Sequence, residues 1–288
     1  MFTVFGANGN TGSVVARTLL DRGANVRVFV RTPAKVAALA AAGAEVVTGD
    51  VEDAASVEKA LRGASGAYLL LPPDVTSNDL LGRGRRIVAS FRAALEKAPV
   101  AHVAFLSSVA AQVPSGTGAI QTARVAEQEI GPLAKTRSTF VRAAYFMENL
   151  LGFAHPMKND GVLPVFGGGN EYPFPMVATA DIGRVAAEAL LGEVPAKNQV
   201  VELSGPAEYS FDDAAREASR VLGRPVKATP LPIDAMVPTL TSIGFSANVA
   251  GLFREMTEAF GSGLARFEGG HRTLRGRVEL AEVLAALA

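Results

Sequence analysis

Short apolar runs alternate with longer amphipathic segments through the first half of the chain, and a few turn residues separate each pair. This alternation predicts strands joined by helices, because short continuous apolar runs are typical of buried strands and a period of about 3.6 residues is typical of helices. The predicted strands are 2–5, 25–30, 44–48, 66–71, 102–107 and 138–142. The predicted helices are 12–22, 33–42, 53–61, 78–98 and 119–130, with Asp53 as an N-cap and Gly63 just beyond a C-terminus.

Strand and helix repeated in this order favour a parallel sheet, because parallel neighbours need a crossover connection. Runs such as AYLLL and HVAFL are apolar almost throughout, so we expect helices on both faces of the sheet. The sequence therefore predicts an α/β fold, a doubly wound parallel sheet of the Rossmann type. A smaller, mixed C-terminal lobe is expected beside it.

In the second half of the chain the alternation weakens. Residues 162–176 are rich in Gly and Pro, and Asp181 is the predicted N-cap of the helix that follows. Another strand is predicted at 198–203, and Ser210 with Asp213 predicts a capping box. The last predicted helices are 232–241, 246–261 and 277–287.

The composition excludes several classes of protein. The 28 Lys and Arg residues balance 28 Asp and Glu residues, so the chain has no overall field that would attract nucleic acid, and no nucleic-acid partner is expected. Cysteine is absent, which removes disulfides, thiol nucleophiles and cysteine-ligated metals. The three histidines form no cluster with metal-ligand spacing, so no metal site is expected.

The first residues, MFTVFGANG, contain neither a basic segment nor a long apolar one, so we expect a cytoplasmic protein. The uncharged stretch 235–253 contains Pro, Ser, Thr and Asn, and it is too polar for the roughly 20 apolar residues of a membrane span. No membrane partner is therefore expected. This stretch is predicted to form either an inner wall of the second lobe or a face for another subunit, and the chain is expected to be a monomer or a homodimer.

The first predicted strand runs directly into GANGNTG, just before the first helix. In such a loop one glycine permits a positive φ, a second lets the backbone approach a pyrophosphate, and a third allows the helix to pack on the strand. The helix N-terminus then faces the phosphates. The motif predicts a dinucleotide site formed by Gly6, Asn8, Gly9, Asn10, Thr11 and Gly12.

The end of the second strand discriminates between the two nicotinamide dinucleotides, because an acidic residue there would bond the ribose 2′-hydroxyl of NAD. Residues 24–44 contain no carboxylate, and Arg31 follows the strand with Lys35 close behind. A planar guanidinium suits a 2′-phosphate, so NADP(H) is the predicted cofactor. The alternative is that both side chains are solvated charges at the start of a helix.

Ligands of open α/β sheets lie beyond the carboxyl ends of the strands. Asp50 and Val51 follow the third strand, Leu71 and Pro72 end the fourth, and Ser107 ends the fifth. We predict that these five residues contact the cofactor. For Asp50 an equal alternative is a capping or turn carboxylate.

Motifs along nearly the whole chain resemble the short-chain dehydrogenase/reductase superfamily and, within it, the atypical NmrA-like branch. They are GANGNTG, Arg31, GD at 49–50, LSS at 106–108, Glu127, VRAAYFMENLL at 141–151, ATADIG at 178–183 and the segment 200–226. The branch includes NADPH quinone reductases, triphenylmethane-dye reductases and cofactor-binding regulators. The resemblance implies a nicotinamide near Ala143 to Phe146, with Ala143 and Tyr145 in contact with the cofactor, and a substrate covered by the second lobe.

The chain is predicted to divide into two lobes. Residues 1–150 are predicted to form the NADP-binding domain, to which 177–204 return, and 151–176 with 205–288 are predicted to form the smaller substrate lobe. Most aromatic residues near the expected nicotinamide are explained by core packing.

Three residues of this region, Phe146, Asn149 and Phe174, are nevertheless predicted to line the substrate cavity. Such a cavity favours a planar, apolar or aromatic small molecule.

Typical reductases of the superfamily use a Tyr-x-x-x-Lys pair, in which tyrosine gives a proton to the carbonyl oxygen. None of the four tyrosines has a lysine four residues later, and alignment on Glu127 places Ala119 and Ala123 in the two positions. No catalytic residue is therefore assigned. A quinone or another electron-poor conjugated acceptor needs no such acid, because hydride addition gives a delocalised anion that water can protonate.

Two functions are compatible with the sequence. The first is an NADPH-dependent oxidoreductase that transfers hydride to a planar conjugated acceptor such as a quinone. The second is a non-catalytic NADP(H)-binding redox sensor that acts through a protein partner, which the missing pair favours. Turnover with quinones would support the enzyme, and tight cofactor binding without turnover would support the sensor.

Overall fold

The computed structural model describes residues 1–288. The strands are β1 (Phe2–Phe5), β2 (Val26–Val30), β3 (Glu45–Thr48), β4 (Gly66–Leu69), β5 (His102–Ser108), β6 (Arg137–Ala143), β7 (Tyr145–Phe146), β8 (Val162–Phe166), β9 (Phe174–Val177), β10 (Gln199–Ser204), β11 (Glu208–Tyr209), β12 (Lys227–Leu231) and β13 (Arg272–Arg275). The α-helices are α1 (Asn10–Asp21), α2 (Ala37–Ala41), α3 (Ala54–Leu61), α4 (Leu80–Lys97), α5 (Gln121–Ile130), α6 (Ala154–Asn159), α7 (Thr179–Leu191), α8 (Phe211–Leu222), α9 (Met236–Ser242), α10 (Ala247–Gly261) and α11 (Leu280–Leu284). Short 3₁₀ segments cover Pro33–Val36, Gly118–Ile120, Met147–Phe153, Ile233–Ala235 and Ala285–Leu287.

The main sheet has eight strands in the order β3-β2-β1-β4-β5-β6-β10-β13, and every neighbouring pair is parallel. The strand order reverses between β1 and β4, which is where ligands bind in open α/β sheets. A three-stranded sheet (β11-β9-β7) and a two-stranded sheet (β12-β8) form from later parts of the chain. The predicted α/β class and doubly wound parallel sheet are confirmed.

Two apolar layers bury the faces of the main sheet. Alternate residues of each strand point to opposite faces, so Phe5 packs into one layer and Val4 into the other. Helices α3, α4 and α5 contribute to the first layer, whose core comprises 19 buried residues. Helices α1, α2 and α7 contribute to the second, whose core comprises 16. Because apolar residues point to both faces, helices cover both faces of the sheet, as predicted.

The first six predicted strands agree with β1–β6 to within two residues at each end. Three predicted capping features are also confirmed. The Asp53 carboxylate accepts from the backbone N–H groups of Ala55 and Ser56 at the start of α3, and Gly63 follows that helix with φ of +75°. Ser210 and Asp213 form the reciprocal capping box of α8.

The predicted N-cap role of Asp181 is wrong. Helix α7 begins two residues earlier, at Thr179, whose backbone N–H donates to the Glu148 carboxylate at 2.9 Å. Asp181 is buried inside the first turn, and its carboxylate accepts from the backbone N–H groups of Arg277 and Val278 at 3.0 Å each. The acidic residue therefore anchors the C-terminal segment instead of beginning the helix.

The sequence missed β13 and the two small sheets. Strand β13 is an edge strand with mostly exposed residues, so no apolar run marks it. The Gly/Pro-rich stretch 162–176 contains β8 and the start of β9, separated by Gly167–Gly169, which all have positive φ. The small strands are too short for an alternating pattern to show.

Helix α7 packs on α1, and β10 pairs with β6, so the chain returns to the main sheet after the small sheets. The exact division into two lobes stays a prediction. None of the helices combines the length and apolarity that crossing a bilayer requires.

Candidate functional site

The glycine loop joins β1 to α1 at the carboxyl edge of the sheet. Gly6 has φ of +64°, a conformation that L side chains rarely adopt, and its carbonyl accepts from the Gly9 N–H at 2.9 Å. A Cβ at Gly12 would lie 2.3 Å from the Gly6 carbonyl oxygen, so no side chain fits there. The first and third glycines are therefore required by the backbone path itself.

Helix α1 begins at Asn10 with Gly9 as its N-cap, and no side chain caps its first turn. Asn8, Gly9 and Asn10 are exposed, whereas Thr11 is buried. The first backbone N–H groups of the helix thus have no side-chain acceptor, and the helix dipole favours negative charge at this end. The loop fits the pyrophosphate of a dinucleotide.

Arg31 follows β2 directly, and Lys35 lies in the adjacent 3₁₀ segment; both side chains are exposed. Neither forms a salt bridge within the chain. A hydrogen bond from Thr76 is the main cause of a lowered pKa at Asp74, and the charge of Arg31 adds to it. Arg31 therefore lies near the loop after β4 with a guanidinium that is free to bind an anion.

Asp50 and Val51 follow β3, and Asp50 takes part in a local turn. Its carboxylate accepts from the Glu52 N–H at 2.9 Å. The turn role that was one of two alternatives for Asp50 is thus present, while its contact with the cofactor stays a prediction. A Cβ at Gly49 would lie 2.6 Å from the Phe29 ring, which explains the glycine of the GD motif.

Leu71 and Pro72 lie just beyond β4, two and three residues after its end. The Pro72 carbonyl accepts from Arg83 Nη1 at 3.0 Å, and Arg83 Nε lies 3.0 Å from Glu52 Oε1. Arg83 thus ties the loop after β3 to the loop after β4. Sequence reasoning missed this residue, because an arginine in the first turn of a helix has no signal that distinguishes it from a solvated one.

Ser107 lies at the carboxyl end of β5, on the face covered by α5. Its hydroxyl donates to Glu127 Oε1 at 2.5 Å, and Arg142 Nη2 binds Glu127 Oε2 at 2.7 Å. Arg142 also contacts Glu268 at 2.6 Å. Because the Ser107 proton is held by Glu127, its oxygen can offer only lone pairs to a ligand.

The charges in this network are well compensated. The Arg142 side chain is only 6% exposed and that of Glu127 13%. Burial works against the charge of Arg142, but the hydrogen bonds that it donates to its two carboxylate partners outweigh burial and raise its pKa above the ordinary value. Hydrogen bonds from Arg142, and then from His271, lower the pKa of Glu268. Arg142 therefore stays charged, and the network holds α5, β6 and the segment before β13 together.

Ala119 and Ala123, the residues that alignment on Glu127 predicts in the Tyr and Lys positions, lie in a 3₁₀ segment and buried on α5, respectively. Ala110, in the loop between β5 and this 3₁₀ segment, has φ of +64° although it is buried and is not glycine. Such strained conformations are often found near functional sites. Sequence reasoning missed this strained position in the loop after β5.

Ala143 ends β6 and is buried, and Tyr145 follows it in β7. The Tyr145 ring makes edge contacts with Phe174, at a centroid distance of 5.5 Å, and with Phe211, at 6.2 Å. Burial raises the pKa of the Tyr145 phenol to about 12, and Asn149 partly opposes the shift. Two predicted site residues, Tyr145 and Phe174, are thus brought together.

Phe146, on the other side of β7, packs against a different apolar cluster, which includes Val141 and Leu203. Asn149 is exposed in the 3₁₀ segment that follows. The three residues predicted to line one cavity therefore do not share one surface, because Phe174 packs with Tyr145 and Phe146 does not. Their contact with substrate stays a prediction.

A cavity of 580 Å³ lies beside Gln112 and Glu268, and another of 430 Å³ lies beside Gln128 and Gln199. Neither includes the glycine loop or Arg31, so the strand ends define the candidate site and these cavities do not. No group of three or more acidic or histidine side chains is placed to hold a metal ion.

The chain is similar to reductases in sequence and in structure. It is 31% identical over 235 residues to (4-alkanoyl-5-oxo-2,5-dihydrofuran-3-yl)methyl phosphate reductase of Streptomyces griseus, covering 82% of this chain and 78% of that one. NADPH-dependent quinone oxidoreductase of Escherichia coli, in complex with NADPH, has a TM-score of 0.80 at 24% identity, covering 100% and 99%. Triphenylmethane reductase of Citrobacter sp., in complex with NADP(H), has a TM-score of 0.80 at 22% identity, covering 100% of both chains.

The model of the NmrA-like family matches residues 1–268. The matched range begins before the glycine loop and includes Arg31, the Glu127–Arg142 pair and Asp181. The resemblance inferred from the motifs is confirmed: the chain belongs to the NmrA-like family.

Proposed function

We propose that this protein is an NADPH-dependent oxidoreductase that passes hydride to a planar conjugated acceptor, with quinone-like rings as the preferred class. The observation that carries the proposal is the uncapped N-terminus of α1 behind GANGNTG, with the unpaired Arg31 at the end of β2. The reductases to which the chain is similar support the same chemistry.

The cofactor would lie along the carboxyl edge of the main sheet. Gly6–Gly12 would hold the pyrophosphate, and Arg31 with Lys35 would hold the 2′-phosphate. Asp50, Val51, Leu71 and Pro72 would surround the adenosine. When bound, NADPH supplies the hydride. The work of the chain is then to bind and orient both reactants, which can account for a large share of a rate enhancement.

At the other end of the site, Ser107 can only accept a hydrogen bond, because its own proton is held by Glu127. It would therefore orient a donor such as the nicotinamide carboxamide or a ribose hydroxyl. Ala143 is small and buried, which leaves room for a ring to approach the sheet edge. Tyr145 stays protonated and neutral at physiological pH, since burial raises its pKa to about 12.

The acceptor class follows from the residues around the site. Ala119 and Ala123 offer no proton to an alkoxide, so an acceptor whose reduced form is a weakly basic, delocalised anion suits the chain best. Quinones and acyl-substituted oxo-dihydrofurans are both electron-poor conjugated systems, and relatives are named for reducing them. The proposal also includes water as the source of the proton. It includes contact between the acceptor and Phe146, Asn149 or Phe174.

The proposal is tested by following NADPH absorbance in a stopped-flow instrument with purified protein and menadione or a benzoquinone. We expect saturable oxidation above the uncatalysed rate, with NADPH preferred over NADH. Tight NADPH binding with no oxidation by any acceptor of the panel would overturn the enzymatic assignment. It would favour a redox sensor, the function that the alanines at positions 119 and 123 also allow.

The assignment of Arg31 to the 2′-phosphate has its own test. Arg31→Asp should raise the NADPH dissociation constant by roughly 10- to 100-fold, because a charge-assisted hydrogen bond is lost and a repulsion added. NADH affinity should change little. Arg22→Asp, which alters an exposed arginine at the end of α1 by the same charge, is the matched control. Equal weakening of NADPH and NADH would contradict the assignment.

A further inference from the structure

One buried hydroxyl near the glycine loop has no part in the function proposed above. Tyr68 lies on β4, is 0% exposed and packs in the core beneath α1. Its hydroxyl donates to Thr11 Oγ1 at 2.8 Å. Phenylalanine would fill the same space, so apolar packing alone does not account for a tyrosine here.

The direction of this hydrogen bond follows from burial. A hydroxyl can donate one proton, and a fully buried donor needs an acceptor inside the protein. Thr11 Oγ1 is the one acceptor within hydrogen-bond distance of the Tyr68 hydroxyl, so the Tyr68 proton points to Thr11. Burial raises the pKa of Tyr68 far above its ordinary value, which keeps that proton in place.

Thr11 is then left with a proton that no group of the chain accepts. Its hydroxyl takes part in no other hydrogen bond, and its residue is the second of α1, next to the uncapped N–H groups. With Tyr68 occupying one lone pair of Oγ1, the Thr11 hydroxyl keeps an unused proton in the first turn of the helix, which it could donate to an anion bound there.

The first turn of α1 is held from a second side as well. A Cβ at Gly183 of α7 would lie 2.5 Å from Val14 Cβ and 2.8 Å from the Thr11 carbonyl oxygen. Helix α7 therefore packs against this turn without any intervening side chain. Contact with α7 on one side and Tyr68 on the other fixes the place of the Thr11 side chain.

We propose that Tyr68 is a positioning residue for pyrophosphate binding: it holds the Thr11 hydroxyl so that its proton is directed to the phosphates. This inference rests on the proposed NADPH site and adds a residue of β4 to it. Tyr68 itself touches no cofactor atom. Its effect passes through Thr11, so the two side chains must act as a unit.

A double-mutant cycle tests this coupling, with the NADPH dissociation constant measured by calorimetry or by NADPH fluorescence. Thr11→Val should raise it by about 10-fold, the usual effect of losing a hydrogen bond to a charged group. Tyr68→Phe should raise it by about 3-fold, because the threonine hydroxyl remains but is free to rotate. The double variant should match Thr11→Val alone, and Thr11→Ser should bind nearly as tightly as the unmodified protein.

A second ligand separates positioning from general damage. Adenosine 2′-monophosphate lacks the pyrophosphate, so its dissociation constant should be unchanged in all of these variants. Thr3→Val is the matched control, since Thr3 also makes a buried hydroxyl hydrogen bond of 2.8 Å, to the Ala60 carbonyl, away from the loop. It should lower the melting temperature and leave NADPH binding unchanged.

The positioning role would be overturned if the NADPH dissociation constant of the double variant rose by the product of the two single effects. It would also be overturned if Tyr68→Phe left the NADPH affinity unchanged. Equal weakening of adenosine 2′-monophosphate would overturn it too, because the variants would then have distorted the whole loop. Failure of the unmodified protein to bind NADPH would instead overturn the proposed function. The two failures are thus distinguishable in one set of titrations.

Discussion

The two ends of the candidate site are built in different ways. At the phosphate end the chain uses backbone: positive φ at Gly6, no room for a Cβ at Gly12, and free N–H groups at the start of α1. At the end where we propose that the nicotinamide binds, the chain uses side chains: Ser107, Glu127 and Arg142 are joined across three elements. The backbone path of the glycine loop depends on residues a few positions apart, whereas the second end depends on contacts between distant parts of the sequence.

The largest effect should come from a side chain placed where the backbone leaves no room. In Gly12→Ala the new Cβ would meet the Gly6 carbonyl oxygen, and a peptide group cannot rotate away as a flexible side chain can. We expect the NADPH dissociation constant to rise by about 100-fold or more, which is roughly 2.7 kcal/mol of binding free energy. Calorimetry would measure this change, and circular dichroism would report the folded fraction.

The matched control is Gly251→Ala in α10, where a Cβ meets nothing within 4 Å. Alanine is the better helix former by about 1 kcal/mol, so this variant should be slightly more stable and should bind NADPH normally. If Gly12→Ala also bound NADPH normally, the phosphate end would not depend on its backbone as described.

At the nicotinamide end, Glu127→Gln should destabilise the fold more than it disturbs the phosphate contacts. Removal of one partner from a buried ion pair costs about 3–5 kcal/mol. We expect about 2–3 kcal/mol here, because Glu268 still pairs with Arg142 and glutamine can still accept from Ser107. Urea unfolding monitored by circular dichroism would measure the change.

An exposed pair provides the comparison for this variant. Glu96 pairs with Arg92 on α4 at 3.1 Å, and both side chains are about half exposed, at 53% and 46%. Glu96→Gln should therefore change the free energy of unfolding by less than about 0.5 kcal/mol. Similar small values for both variants would mean that the buried network does not hold α5 to β6.

A smaller effect is expected at the loops after β3 and β4, which would surround the adenosine. Arg83 joins Glu52 to the Pro72 carbonyl, and its side chain is only 12% exposed. Arg83→Gln should loosen both loops around the adenosine and raise the dissociation constants of NADPH and adenosine 2′-monophosphate by about 5-fold each. This pattern differs from the one expected for Tyr68→Phe, which should raise the dissociation constant of NADPH alone.

Arg86 supplies the control, because it also pairs with Glu52 at 3.0 Å but is 58% exposed. Arg86→Gln should change neither dissociation constant, since exposed pairs contribute little. If Arg86→Gln weakened binding as much as Arg83→Gln, the loss of positive charge would explain both effects. The link that Arg83 makes between the two loops would then not be the cause of the weaker binding.

The same contrast explains what the sequence could predict. The glycine loop, the strands β1–β6 and the capping box at Ser210 were predictable because each depends on residues close together in the chain. The predicted end of β5 also placed Ser107 at the carboxyl edge of the sheet. Only the structure shows that its hydroxyl donates to Glu127.

Asp181 shows why the rest was not predictable. Its type and place before an amphipathic run are typical of an N-cap, but its carboxylate accepts from amides almost a hundred residues later. Tyr68 likewise looks like one more core residue of a strand until Thr11 is seen beside its hydroxyl. Strand β13 has a polar sequence because it is an exposed edge, so hydrophobic periodicity cannot reveal it.

The smallest expected effect concerns the opposite end of β5 from Ser107. His102 is 2% exposed there, and its Nε2 lies 2.8 Å from Thr139 Oγ1. Burial lowers the pKa of His102 below its ordinary value of 6.5, and the Ala189 backbone opposes only part of the shift. The folded protein therefore binds a proton at this site less readily than the unfolded chain does.

Because the unfolded state takes up the proton first as pH falls through about 6.5, the free energy of unfolding should decrease there. His102→Gln keeps a polar group beside Thr139 but cannot ionise, so its stability should be flatter between pH 8 and about 5.5. Urea unfolding at several pH values would measure both proteins. Identical slopes would show that this histidine does not set the pH dependence. A flatter slope in the variant would assign the loss of stability to His102. Carboxylates such as Glu268 would not explain it, because their lowered pKa reduces stability only in more acidic solution.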